Sequence, residues 1–225
     1  MVDFDFEHRA SDSPYVDAVW RTQGNGGSFI SVAESHWGMV VTKQAGKIVF
    51  TVRGPETKAV PSPVPDNAEI FGIVFKLGTF MPHLPNNKLV DGEIHLPEAA
   101  SQSFWLHSSS WQFPTFENAD TFINRLVREG LLVQDNVVDA VLQNYTPDVS
   151  IRTVRRRFLQ ATGLTQGIIV QIERARKAAA LLQQGSSILD TVYEAGYFDQ
   201  PHLTRSLKHF LGQTPAQIAA INQSE

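Results

Sequence analysis

Asp199–Thr214 reads DQPHLTRSLKHFLGQT, and a shift of 49 residues lays it over Ser150–Thr165, SIRTVRRRFLQATGLT. Val154 and Phe158 fall on Leu203 and Leu207, Arg156 on Arg205, Gly163 on Gly212 and Thr165 on Thr214. Each shared position has a local task. Ser150 and Asp199 stand where a side-chain oxygen accepts from the orphan N–H groups of a helix start. The i, i+4 apolar pairs make a seam that faces a core, and the two glycines can take the left-handed conformation that ends a helix. Two copies of one supersecondary unit follow, with helices over about 150–162 and 199–211.

With the seam turned inward, Arg152, Arg155 and Arg156 share an outward stripe with Leu159, and Thr153 lies beside it. The matching positions of the second copy are Pro201, Thr204 and Arg205, with His202 beside them and Gln200 in the first turn. A cationic cluster of this kind is either a solvated helix face or a surface for a polyanion. Arginine can grip guanine O6 and N7 bidentately and glutamine can pair with adenine, so a helix carrying these groups suits a major groove. Arg155 divides evenly between base reading and phosphate contact. Arg157 falls between the stripes and is left out of the set. Shorter helices are expected ahead of each copy, over Gln134–Asn144 and Ile188–Ala195, the second followed by a turn at Gly196. Helix, turn and capped helix is the helix-turn-helix plan.

A long helix is expected between the copies, with Ile168, Ile172, Ala175, Ala179 and Leu182 as its inward stripe and Gly185 as its stop. On its outer side Glu173, Arg174, Arg176 and Lys177 read as solvent or ion-pair positions, with one of them in reach of a phosphate.

The first half has a different period. SFISVA, WGMVVTK, KIVFTVRG and IFGIVFKLG, between Ser28 and Gly78, are short runs rich in Val, Ile and Phe, which predicts strands of an antiparallel sandwich or small barrel. QAGKI (Gln44–Ile48) reads as a hairpin, and GPETKAVPSPVP (Gly54–Pro65), with its four prolines, as a loop. Beyond SSSWQFPTFENAD the period becomes helical, with Asn118 and Asp120 as capping candidates and a helix over Thr121–Leu132.

Composition narrows the function classes. The chain has 225 residues, 42% of them hydrophobic, enough for two ordinary domains with packed cores. It has no cysteine, which excludes disulfides and thiolate metal sites. The formal net charge is −4, yet residues 1–115 carry 8 Lys and Arg against 12 Asp and Glu, whereas residues 145–215 carry 9 against 5. The two halves are expected to meet different partners. No run of eighteen apolar residues occurs and MVDFDFEHRA is acidic at its start, so neither a membrane span nor a secretory leader is expected, and the cytoplasm is the expected compartment.

AGYFDQPHLTRSLKHFLGQTPAQI (Ala195–Ile218) resembles the second helix-turn-helix signature of the AraC/XylS transcriptional regulators, including Gly196, Asp199, His202, Arg205, Gly212 and Pro215. VSIRTVRRRFLQATGLT (Val149–Thr165) resembles that family's first recognition helix, and the resemblance as a whole covers about Gln134–Ile218. Asp148 stands where the family often has glycine, and Leu203 and Leu207 stand where it has phenylalanine. The resemblance implies two units joined by the long helix, with both recognition helices facing one side of a duplex about 34 Å apart, in successive major grooves. It also implies a cupin-like domain ahead of this module.

The expectation is therefore an α+β protein of two domains. Residues 1–115 form an antiparallel β-sandwich or barrel, cupin-like, for sensing or dimerisation; residues 116–225 form an all-α double helix-turn-helix domain. The expected partner is double-stranded DNA, read by Arg152, Thr153, Arg155, Arg156, Gln200, Pro201, His202, Thr204 and Arg205. A small-molecule effector, a second copy of the chain and RNA polymerase stand as further partners, with no cofactor and no catalytic residue. Trp20, Trp37, Phe50, Phe71 and Phe75 are core aromatics that would line an effector pocket if the β-domain were hollow. His36, His83, His95 and His107 lack ligand spacing for a metal, and HSSSW (His107–Trp111) lacks the G-x-S-x-G elbow of a serine hydrolase and reads as linker. The alternative from another class is a cupin-type metal enzyme with a helical accessory domain.

Overall fold

A computed structural model describes residues 6–100 and 102–221; residues 1–5, the start of the acidic MVDFDFEHRA stretch, lie outside the described residues. The strands are β1 (Glu7–Arg9), β2 (Val16–Asn25), β3 (Ser28–Ser31), β4 (Gly38–Gln44), β5 (Lys47–Arg53), β6 (Val60–Pro63), β7 (Asp66–Phe75) and β8 (Thr79–Phe80). After a 3-10 turn at Asn86–Lys88 come β9 (Glu93–Leu96), β10 (Glu98–Ala99), β11 (Ser103–Leu106), β12 (Ser109–Gln112), α1 (Ala119–Arg128) and β13 (Val133–Gln134). The rest is helical: α2 (Asn136–Leu142), α3 (Ile151–Thr162), α4 (Gln166–Gln183), α5 (Ile188–Glu194), α6 (Gln200–Leu211) and α7 (Pro215–Ile221).

Contacts group the chain into two compact units, one made of the residues up to 29 with 36–55 and 63–165, the other of 30–35, 56–62 and the residues from 166 on. The first unit is built on a six-stranded antiparallel sheet in the order β1-β2-β7-β4-β5-β9. Alternation along its strands puts Ile73, Met39 and Val52 in register on one face, and two residues on Phe71, Val41 and Phe50. These are core side chains, packed with Phe104, Trp111, Phe122 and Leu126 from β11, β12 and α1. The sequence-expected hairpin is present: Gln44 pairs with Lys47 across Ala45 (φ 48°) and Gly46 (φ 80°), the doubly left-handed turn that matches strand twist.

Several expectations are corrected. The four-proline stretch contains β6, which pairs with β3 in a two-stranded sheet; proline is tolerated in so short a ladder, with no central position to fill. HSSSW is not linker. Leu106 pairs with Ser109 across a turn at His107 and Ser108, and Trp111 is buried. The Asn118 side chain accepts from the Thr115 N–H at 2.8 Å and makes no cap hydrogen bond to α1. Asp120 instead binds Arg9, at 2.7 Å, and Ser11. The helix expected over Thr121–Leu132 runs over Ala119–Arg128, and Gln134 pairs with Thr79 in a strand before α2 begins.

In the second unit α4 buries Ile169, Ile172, Ala175, Ala178 and Leu182. The inward stripe thus runs through Ile169 and Ala178, with Ile168 and Ala179 half-buried at its edge; positions one residue apart lie about 100° apart around a helix, so neighbours of a buried position can exchange places at the edge of a stripe. α6 packs on α4 and α5, with Leu203, Leu207, Phe210 and Leu211 buried. No described helix is long and apolar enough to cross a membrane.

Candidate nucleic-acid interface

α3 begins as its sequence dictates. Ser150 holds extended backbone and its Oγ accepts from the Thr153 N–H at 3.2 Å, which satisfies one orphan donor of the first turn. Phe158 is buried with Ala161 and Thr162, while Arg152, Arg155 and Arg156 are exposed and Thr153 is half-buried. The helix ends at Gly163 in the left-handed conformation, φ 79°. Its last turn is held from outside: Asn86 of the 3-10 turn, fully buried, donates from Nδ2 to the Ala161 carbonyl at 2.6 Å.

Arg157 has a job that spacing along the helix does not reveal. Its Nε donates to Asp135 Oδ2 at 2.8 Å, and the buried Asp135 caps α2 by accepting from the N–H groups of Val137 and Val138 at 2.9 and 3.1 Å. One carboxylate therefore starts α2 and ties it to α3. The connection is not a tight turn: it spans residues 143–149, with Asn144 at φ 61° supplying the left-handed step.

α6 repeats the design in the second unit. Asp199 Oδ1 accepts from the His202 N–H at 2.7 Å, Pro201 sits in the first turn where its missing N–H costs nothing, and Gly212 closes the helix at φ 72°. Here the turn is short, residues 195–198, with Gly196 at φ 71°. Gln200, Pro201 and Arg205 are exposed, and His202 and Thr204 are half-buried. The buried Tyr197 anchors the helix through a 2.8 Å hydrogen bond between its hydroxyl and Ser206 Oγ. Burial raises the Tyr197 hydroxyl above its ordinary pKa, against the opposing pull of Ser206 and the Arg174 charge. The last turn is again held from outside, as the Phe210 and His209 carbonyls accept from the N–H groups of Ala33 and Ala59 at 2.7 and 2.8 Å. Arg176 pairs with Glu34 at 2.6 Å, and Lys177 donates to the Glu194 carbonyl at 2.7 Å.

Within α3, the structure brings Arg152, Thr153, Arg155 and Arg156 to the first two turns; within α6 it does the same for Gln200, Pro201, His202, Thr204 and Arg205. The aromatic set does not converge. Trp20 lies opposite Gly72 and Phe71 opposite Arg21, so alternation puts Trp20 and Phe71 on different faces of the sheet. Trp37 stacks on Phe75 at 4.1 Å and donates from Nε1 to the Thr79 carbonyl at 2.6 Å, while Phe50 packs edge-on against Phe104 at 4.6 Å. Phe71 borders a cavity of about 480 Å³ that also reaches Val41, Arg21, Lys43, Glu69 and Phe116.

The histidines do not gather into one set either. The rings of His83 and His107 lie 4.7 Å apart, and His95 Nδ1 is 3.0 Å from Thr51 Oγ1. Among the described residues no group of three or more His, Asp or Glu gathers as a metal-binding set.

Comparison with known proteins locates the same segment. Residues 148–220 match the family described as helix-turn-helix domain. The HTH-type transcriptional activator RhaS of Escherichia coli (strain K12 / DH10B) is 29% identical over 139 residues, which is 57% of this chain and 49% of RhaS. RhaS of E. coli O157:H7 (strain EC4115 / EHEC) gives the same figures, 29% over 139 residues. The chain spans about half the length of the curated relatives it matches. Among solved structures, ToxT from Vibrio cholerae is similar with a TM-score of 0.41 and 8% identity, covering 96% of this chain and 98% of ToxT. The capped pair of helices, the two left-handed glycines and the family match coincide on one stretch: residues 148–220 form a helix-turn-helix domain.

Proposed function

We propose that this protein is a sequence-specific DNA-binding transcriptional regulator in which α3 and α6 each present a reading stripe to one segment of major groove. The observation that carries the reading is the repeated helix start. In both helices a side-chain cap fixes the first turn, the apolar seam faces inward, with Phe158, Leu203 and Leu207 buried and Val154 half-buried, and arginine at equivalent positions, Arg156 and Arg205, is exposed. Arg152, Arg156 and Arg205 read base edges, Arg155 divides between base and phosphate, and Thr153, Gln200, Pro201, His202 and Thr204 complete the two contact surfaces. On a duplex the two contact segments fall about one turn apart.

Residues 116–225 serve as the DNA-binding part and residues 1–115 as the sensing or dimerising part. A small molecule in the cavity beside Phe71, or a second copy of the chain, changes DNA occupancy only to the extent that it binds one arrangement of the protein better than another. The RhaS relatives carry the name of transcriptional activators; activation through contact with RNA polymerase is part of the same proposal, as is action in the cytoplasm.

Selection of bound fragments from a genomic library at two salt concentrations tests the reading. It expects enrichment of a common site together with a steep loss of affinity at the higher salt. Uniform recovery of all fragments would refute it. The metal-enzyme alternative expects bound metal in purified protein, which elemental analysis measures directly.

A further inference from the structure

Along one edge of the reading stripe of α6, sharing His202 and Arg205 with it, runs a cleft of about 360 Å³ between α4 and α6, inside the second unit. Gln171 and Arg174 border it from α4, and His202, Arg205, Ser206 and His209 border it from α6. The positions 202, 205, 206 and 209 follow the i, i+3, i+4, i+7 pattern, so they form one continuous stripe of the helix. None of the described residues that line the cleft is acidic. That composition is unusual for a solvated surface, where both signs are normally interspersed.

Arg174 is the anchor. It is half-buried with its guanidinium 5.7 Å from the centre of the Tyr197 ring, and Tyr197 is itself pinned by Ser206. This holds the guanidinium over an aromatic face while leaving its N–H edge for another group. The other cations of α4 are used differently: Arg176 pairs with Glu34 and Lys177 with a backbone carbonyl.

We propose that this cleft is a phosphate-binding site in which Arg174 grips a backbone phosphate of the bound DNA, assisted by Gln171 and His209. The inference rests on the DNA-binding reading and deepens it. A helix lying in a major groove about 12 Å wide has a row of phosphates along each side. Donors displaced sideways from the base-reading stripe therefore meet phosphate oxygens, and a phosphate contact fixes register without selecting sequence. Gln200 and Thr204 face the bases; Arg174, on the neighbouring helix, holds the edge of the groove.

The test is the salt dependence of affinity for a selected duplex and a scrambled one, measured by fluorescence anisotropy between about 50 and 200 mM salt. Arg174→Ala should weaken binding by the same factor on both duplexes and make the slope of log K against log salt shallower by about 1. Arg174→Lys, which keeps the charge, should keep the slope and guards against a variant that merely misfolds. An unchanged slope in Arg174→Ala overturns the proposal, and so does a loss confined to one base pair of the selected duplex. Should the unaltered protein bind no duplex, the DNA reading itself fails. Titration with inorganic phosphate followed by the NMR signals of His202 and His209 then decides the anion chemistry alone: saturable shifts abolished in Arg174→Ala support an anion site, and flat signals overturn it.

Discussion

Asp135 accepts from Arg157 across 2.8 Å while its other oxygen caps α2, so a single buried carboxylate fixes both the start of one helix and the orientation of the next. Removing the carboxylate by Asp135→Ala loses a helix cap and a charged hydrogen bond together, at a cost of about 2–3 kcal/mol. Arg157→Ala leaves the cap in place and should cost about 1–2 kcal/mol. Chemical denaturation of both variants checks the order. Equal, negligible effects would mean that the pair does not hold α2 to α3.

Arg156 and Arg205 occupy equivalent places in the two copies. Replacing either by alanine should relax preference at one base pair by about 1–3 kcal/mol, at a different position of the site for each variant. Competition binding against a panel of single-base variants of the selected site reads this. If both substitutions weakened every sequence equally, these arginines would be phosphate contacts.

Gly163 and Gly212 end their helices in the left-handed region and are also crowded. A Cβ on Gly163 would stand 2.9 Å from the Asn86 carbonyl oxygen, and one on Gly212 2.8 Å from Ile30 Cγ2. Gly196, at φ 71°, has open space around its Cβ direction. Gly196→Ala should therefore cost only the backbone strain, about 1–2 kcal/mol. Gly163→Ala should cost more, because the obstacle there is backbone that cannot swing aside. Gly212→Ala should fall between them, since a side-chain methyl can yield. Melting temperatures of the three variants give the ranking.

How much of this was legible in the sequence depends on whether the interaction is local. Ser150, Asp199, Gly163, Gly212 and Gly196 were readable because caps and helix stops are set within a few residues. The Ala45–Gly46 hairpin was readable for the same reason. Arg157 was not: its partner lies 22 residues back in sequence, and no periodicity encodes that. Nor could the chain announce that the N–H groups of Ala33 and Ala59 cover the end of α6. β6 hid behind its prolines, and β12 behind serines whose partners on β11 supply the apolar side of the hairpin. The aromatic set failed to converge for a related reason. Composition marks Trp20 and Phe71 alike as apolar, whereas the register that puts them on opposite faces comes from strand pairing.

Asp120 ties β1 to α1. Partial burial would raise its carboxyl, but the hydrogen bonds from Ser11 and Arg9 and the Arg9 charge outweigh that and hold it below its ordinary value of 3.8. A depressed carboxyl contributes stability that is complete above the unfolded value and lost as pH falls through the folded one. Asp120→Asn should therefore lower the melting temperature at neutral pH and narrow its gap to the unaltered protein below about pH 4, in the range where the carboxyl protonates. A gap that stays constant with pH would show that the Arg9–Asp120 pair contributes nothing as an ion pair.

Two capped helices that each read a segment of one duplex require a site in two parts. Selection from a pool of duplexes with a randomised stretch of about 25 base pairs tests it most directly, repeated with Arg156→Ala and Arg205→Ala. The expected result is a recovered site with two short blocks of preferred bases, centred about 10–10.5 base pairs apart, each block blurred by one of the two variants. A pool that stays random after selection, or a single block altered alike by both variants, would contradict it.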